Sequence, residues 1–164
     1  MEAKHFKLPL QVRTRRAGNA DFEFLWKLHQ AAMRESVIGA LGSYDEEQQY
    51  ARLKKHFSPW TLFVFERFRQ PIGTIDVARM GDFLYVSCFA LMPEYQGIGL
   101  GRSAMQSVID YARCSGEDIQ LTVLKRSRAR SFYENLGFSL NETFQDEHLD
   151  LMFLDIEEYA EKNK

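Results

Sequence analysis

The sequence predicts a mixed α/β fold (an α+β sheet): an antiparallel meander followed by a strand, helix, strand unit, with helices on both faces. Three observations carry this expectation. Three short runs rich in β-branched and aromatic residues follow one another between residues 61 and 91, separated only by turn-like residues. A glycine-rich connection then enters a stretch with apolar residues at helical spacing, which leads into a further strand. Finally, 164 residues with 45% hydrophobic and 13% aromatic content suffice for one sizeable core, so residues 1–164 are expected to form one domain with its core at about 11–155.

In chain order, Gln11 to Arg16 reads as an edge strand. Asn19 or Asp21 can cap a helix whose Phe22, Leu25, Trp26, His29 and Met33 share a face. Glu35 to Tyr44, with Gly39 and Gly42, shows no period and reads as a loop. Asp45-Glu46-Glu47 opens a second helix through Phe57 that Pro59 ends. Strands follow at Thr61 to Glu66, Ile72 to Ala78 and Phe83 to Leu91, the last two joined by a two-residue Met80-Gly81 hairpin. Leu100, Ala104, Val108 and Ala112 mark a long amphipathic helix ending near Gly116, and Ile119 to Leu124 is a strand that should pair in parallel with the one before the helix. A shorter helix carries Ala129, Phe132, Tyr133 and Leu136 and stops at Gly137. Strands near Phe138 to Leu140 and Leu149 to Leu154 precede a charged helical tail from Asp155.

Composition excludes several classes of function. With 21 Lys and Arg against 23 Asp and Glu, the net charge of −2 gives no electrostatic case for nucleic acid or membrane. Cys88 and Cys114 stand far apart, so neither a disulfide framework nor a metal cluster is expected. The first residues lack the apolar core of a signal peptide and no apolar run is long enough to span a bilayer, which suits a cytoplasmic protein. Exposed edge strands make a homodimer an open expectation.

Chemistry concentrates in Leu91-Met92-Pro93-Glu94-Tyr95-Gln96-Gly97-Ile98-Gly99-Leu100-Gly101-Arg102, which joins a buried strand to the long helix. Closely spaced glycines let the backbone approach a ligand, and the amides and dipole at the helix start favour an anion such as a pyrophosphate. A flexible strand-to-helix turn explains the glycines alone equally well. The P-loop signature is absent, and a Rossmann fingerprint should open a parallel unit near the start of its domain rather than follow a meander.

Gln96-Gly97-Ile98-Gly99-Leu100-Gly101 resembles the Q/R-x-x-G-x-G/A signature of the GCN5-related N-acetyltransferases, and Val123 to Phe138, with its tyrosine-bearing helix ending at Leu136-Gly137-Phe138, resembles the closing motif of that family. Met33 to Val37 and Gly42 to Gln49 resemble a bacterial subgroup with a similar helix pair. The resemblance implies the acyl-CoA N-acyltransferase fold and acetyl transfer from acetyl-CoA to an amine of a small molecule or protein, with no metal. It implies that amides of Gln96, Gly97, Ile98, Gly99, Leu100 and Gly101 hold the CoA pyrophosphate, assisted by Arg102, and that backbone groups at Phe89, Ala90 and Leu91 pair with the pantetheine arm. Ser127 stands where relatives carry an asparagine that contacts pantetheine, a departure from the pattern. Among Lys125, Arg126, Arg128 and Arg130, Arg130 is the one expected to meet the 3′-phosphate.

Amine acetylation needs an acceptor stripped of its proton, a polarised thioester carbonyl and an acid for the departing thiolate. The resemblance gives the acid's role to Tyr133, although its helical spacing alone equally describes a core tyrosine. A backbone amide near Leu91 would serve the oxyanion. Several relatives use a strand glutamate as base, and the matching residue here is Tyr85, which cannot act as one at neutral pH. A Met80-Gly81 hairpin sets Asp76 opposite Tyr85 and on one face with Ser87, so Asp76, directly or through water held with Ser87, becomes the candidate base. A structural carboxylate is the competing reading, and Asp45, Glu47 and His56 are the runners-up. Tyr44, Asp45, Glu46, Glu47 and Tyr50 fit a cationic acceptor. The rival of another class is an acetyl-CoA-binding sensor or scaffold without turnover, against which the retained Tyr133 argues.

Overall fold

The structure, a computed structural model, describes residues 1–9 and 11–163. After β1 (Val12–Arg16) come the helices α1 (Phe22–Leu41) and α2 (Glu46–His56), then the strands β2 (Leu62–Arg67), β3 (Gln70–Met80) and β4 (Phe83–Leu91). Helix α3 (Leu100–Ser115) leads to β5 (Asp118–Leu124), and α4 (Ala129–Glu134), β6 (Ser139–Leu140), β7 (Leu149–Leu154) and α5 (Ile156–Lys162) complete the chain. The strands form one sheet in the order β1-β2-β3-β4-β5-β7-β6. Only β4 and β5 run parallel, joined by α3 as a crossover of that length requires.

Strand alternation divides the side chains between two faces. One face presents Phe63, Ile75, Val77, Val86, Leu121 and Met152, all in one buried cluster with Ala104, Met105, Val108 and Ile109 of α3. Each such side chain removed from water contributes about 1.5–3 kcal/mol. The opposite face carries Leu62 beneath Leu25 of α1 and Leu53 of α2, a smaller cluster edged by Phe22, Trp26 and Phe57.

Two sequence expectations change. The segment read as a loop from Glu35 to Tyr44 is helical to Leu41, because Val37 within it is buried against the rest of the fold. That packing outweighs the ~1 kcal/mol cost of Gly39 within a helix. The stop comes at Gly42, whose φ of 81° lets its amide donate back to the Ile38 carbonyl at 2.8 Å. The hairpin between β3 and β4 turns at Gly81-Asp82, one residue later than expected, so Met80 pairs with Phe83 and Asp76 with Ser87 rather than Tyr85. The shift preserves parity: Asp76, Tyr85 and Ser87 still share a face.

Candidate active site

The site begins with an irregularity in β4. Asp76 pairs with Ser87 but Thr74 pairs with Ala90, so Cys88 and Phe89 together oppose Ile75 in a β-bulge. Cys88 adopts a left-handed φ of 46°, uncommon for a residue with a side chain. The bulge is held from β3, where buried Thr74 donates its hydroxyl to the Cys88 carbonyl at 2.9 Å. Gly73 permits the close approach: a Cβ there would lie 2.5 Å from Leu91 Cδ2 and 2.7 Å from the Ala90 carbonyl oxygen. The extra residue inverts the alternation, turning Phe89 and Leu91 toward the α3 cluster while Cys88 packs on the α1 side.

Beyond the bulge β4 parts from its neighbour. Pairing of β4 with β5 ends at Val86 and Leu121, although β4 continues to Leu91 and β5 to Leu124. Below the gap, the Tyr85 hydroxyl and Thr122 Oγ1 lie 2.9 Å apart and tie the two strands. The end of β4 thus presents backbone polar groups to a wedge without a strand partner, and such groups seek an extended ligand or water.

The connection to α3 stands at the end of this wedge. Residues Pro93–Tyr95 make one 3₁₀ turn, and Gln96 folds back so that its side-chain amide donates to the Leu91 carbonyl at 2.8 Å. Gly97 and Gly99 take left-handed φ values of 73° and 85°. Among the described residues, the amides of Gly97, Ile98, Gly99, Leu100, Gly101 and Arg102 donate to no acceptor; the first amide of α3 so engaged is that of Ser103, to Gly99. Six free amides at the start of a sixteen-residue helix form a cradle for an anion.

Helix α4 closes the cradle from the other side. A Cβ on Gly101 would sit 3.7 Å from both Phe132 and Phe89, whose rings lie 6.2 Å apart. The adjacent Tyr133 is buried between Phe132 and Phe138, with ring centroids 5.1 and 5.6 Å away. Burial raises the pKa of its phenol, which is therefore protonated at neutral pH. The Ser127 oxygen accepts the Ala129 amide at 3.2 Å and so caps α4, leaving its hydroxyl hydrogen able to donate elsewhere. Arg130, expected to be available for phosphate, is already met by Glu134 at 2.9 Å and Asp150 at 3.4 Å. Among the described residues Arg102, Arg126 and Arg128 make no ion pair.

On the α1 face, Ser87 donates to Asp76 Oδ2 at 3.1 Å while Asp76 Oδ1 is buried without a partner among the described residues. Burial raises the Asp76 pKa, opposed by hydroxyls of Thr61 and Ser87. The Cys88 thiol is pushed up to about 11, by burial first and then by the charge of Asp76, so it stays neutral and unreactive near pH 7. His29 of α1 stacks on Trp26 and shares a 3.1 Å hydrogen bond with the Tyr44 hydroxyl; burial lowers its pKa. Two of the three acids expected to attract a cation have other partners: Glu46 pairs with Arg34 at 3.0 Å, and Asp45 accepts the Gln48 amide at 3.0 Å as the cap of α2.

Sequence reading missed Gly73 and Thr74, which shape the bulge. The available signals were an isolated glycine inside a strand and broken alternation at Cys88-Phe89. Among the described residues no group of three or more His, Cys, Asp or Glu could hold a metal ion. No helix there is long and apolar enough to cross a membrane.

A sheet that splits between two parallel strands, with an amide cradle on the connecting helix, is the layout of the acyl-CoA N-acyltransferase fold. The model of the Acetyltransferase (GNAT) family matches residues 22–138, and the chain belongs to that family. Among curated proteins, none matches the sequence. The PaiA N-acetyltransferase of Thermoplasma acidophilum, solved in complex with coenzyme A, is similar in structure with a TM-score of 0.72 and 17% identity over 89% of this chain and 99% of that chain. The ribosomal-protein-S18-alanine N-acetyltransferase of Escherichia coli gives a TM-score of 0.63 and 19% identity over 89% and 94%. The loading GNATL domain of CurA from Lyngbya majuscula gives 0.66 and 16% over 91% and 100%. At these identities the likeness is one of fold.

Proposed function

We propose that the protein is an N-acetyltransferase that moves the acetyl group of acetyl-CoA to a primary amine by direct attack in a ternary complex. The observation that carries this reading is the run of free amides at 97–102 beside the gap between β4 and β5. A pyrophosphate suits the first and an extended pantetheine arm suits the second, and the PaiA structure holds coenzyme A on the same fold. Bound acetyl-CoA supplies an acetyl group activated as a thioester.

The chain's own residues supply the rest. The amides of 97–102 bind the pyrophosphate, and the wedge edge of β4 at Phe89, Ala90 and Leu91 aligns the arm. Arg102, Arg126 and Arg128 serve as the cations for phosphate, since Arg130 would have to release Glu134 and Asp150 first. Ser127 retains one donor for the arm while capping α4. A backbone amide near Leu91 would supply the donor for the oxyanion. Asp76, with an elevated pKa and a free Oδ1, accepts the amine proton directly or through water held with Ser87. Tyr133, kept protonated by burial, gives its proton to the departing thiolate.

Purified protein incubated with acetyl-CoA and a broad panel of amines should release free thiol with at least one class of amine. Tight acetyl-CoA binding without release across the panel would instead establish a sensor or scaffold module.

A further inference from the structure

Helix α2, the end of α1 and the loop before β7 line a half-open cavity of about 450 Å³. Two ties fix its position. Leu53 of α2 packs with Leu25 and Leu62, and Cys88 lies against that cluster, so α2 stands on the same side of the sheet as Cys88. The Lys125 amide donates to the His148 carbonyl at 2.9 Å, so His148 stands at the end of β5. A cavity lined by Gln49, Arg52 and His148 therefore opens on the sheet face away from α3, near the end of β5.

Its lining is built for an anion. Gln49 is only 4% exposed, yet its side-chain amide makes no hydrogen bond among the described residues. Its amide is open to the cavity rather than sealed in the core, so a ligand there takes the place of water on it. Arg52, one turn further along the same helix face, has no ion pair or hydrogen bond among the described residues. Its guanidinium is near enough to the His29 ring and the Cys88 thiol to bias the protonation of both. Asp45 is the one acid lining the cavity, and one of its oxygens caps α2. A free guanidinium beside an unpartnered amide matches a carboxylate, which accepts two parallel hydrogen bonds from the former and one from the latter.

Resting on the N-acetyltransferase reading, we infer that the acceptor is a small amino acid: its carboxylate is held by Arg52 and Gln49, and its amine is turned toward Asp76. This reverses the cationic acceptor expected from the acid-rich sequence around Tyr44 to Tyr50, since Glu46 and Asp45 have partners of their own.

Matched amine pairs test the inference: lysine against cadaverine, phenylalanine against phenethylamine, and tyrosine against tyramine. For at least one pair, kcat/KM should favour the carboxylated member by roughly tenfold or more, as expected of a charge-assisted contact. In Arg52→Gln the preference should collapse through a rise in KM, and Arg52→Lys should restore part of it. Calorimetric titration of N-acetylamino acids into the protein with CoA should show binding that Arg52→Gln weakens roughly tenfold. Faster turnover of the decarboxylated amines, or a preference unmoved by Arg52→Gln, overturns the inference while leaving the acetyltransferase intact. Absence of thiol release with every amine is the failure of the enzymatic reading; the titration then decides, and equal or absent binding of carboxylated and decarboxylated products overturns the inference as well.

Discussion

The two faces of the sheet solve different problems. Under α3, Phe63, Ile75, Val86, Leu121 and Met152 meet Met105 and Ile109 in a continuous apolar layer. Under α1 and α2, the same strands present Thr74, Asp76, Tyr85, Ser87 and Thr122, bonded in pairs or to the backbone. Polar side chains at that depth cost free energy unless they are satisfied, so the α1 face adds hydrogen bonds to its smaller apolar cluster, whereas the α3 face holds by packing alone. The bulge at Cys88-Phe89 is where the two meet, because it moves Phe89 and Leu91 to the packed face and leaves Cys88 on the polar one.

The largest expected effect tests whether that division fails at Tyr133, the one tyrosine buried in the apolar cluster. Tyr133→Phe keeps the ring between Phe132 and Phe138 and removes the hydroxyl. Turnover should fall roughly 10²–10⁴-fold, with melting temperature and acetyl-CoA affinity nearly unchanged. A lowered melting temperature with retained kcat would make it a core residue only.

On the packed face, Ile109→Ala should cost ~2–5 kcal/mol in chemical denaturation, because Ile109 is fully buried in the cluster. The surviving folded fraction should turn over normally at low temperature. A specific loss of kcat would blur the boundary between the faces.

Gly73→Ala acts at the boundary itself. The added methyl meets the Ala90 carbonyl at 2.7 Å, so β4 has to shift, at a cost of ~1–3 kcal/mol by denaturant midpoint. Acetyl-CoA affinity should fall along with stability, since the displaced residues border the wedge. Unchanged affinity would show that the wedge edge does not hold the arm.

The smallest change concerns the stability of the polar face. The Asp76 carboxyl has its pKa raised by burial, so the folded state holds its proton to higher pH than the unfolded chain does. Stability from this group is fully present below the unfolded pKa and lost as pH rises through the folded one. Asp76→Asn should therefore be slightly more stable than the parent at neutral pH, with a flatter dependence of melting temperature on pH. The same variant should lose the limb of the pH–rate profile that Asp76 contributes. Loss of stability at pH 7 with an unaltered profile would identify a structural carboxylate.

Much of the fold is legible in the sequence because its signals are local. The meander, the amphipathic stripe of α3 and the parallel return to β5 follow from residue periods and connection length. What escapes is set by contacts distant along the chain. Gly39 reads as a helix breaker until Val37 is seen to be buried. The hairpin turn is displaced by one residue, which parity hides, while the bulge inverts parity within a single strand. Arg130 looks free in a basic run because one of its acids, Asp150, lies 20 residues away. The cavity depends on His148 coming to α2 from a different part of the chain.

The unpartnered amides of 97–102 also set a sharp isotopic boundary. In deuterated water their hydrogens have no intrachain acceptor to slow replacement, whereas the amide of Ser103 is engaged from the first turn of α3 onward. Label should therefore enter a short, well-folded stretch as fast as it enters a loose terminus and stop abruptly within one helical turn. The stretch so labelled opens at Gly97 and Gly99, both in the left-handed region, and closes at Ser103.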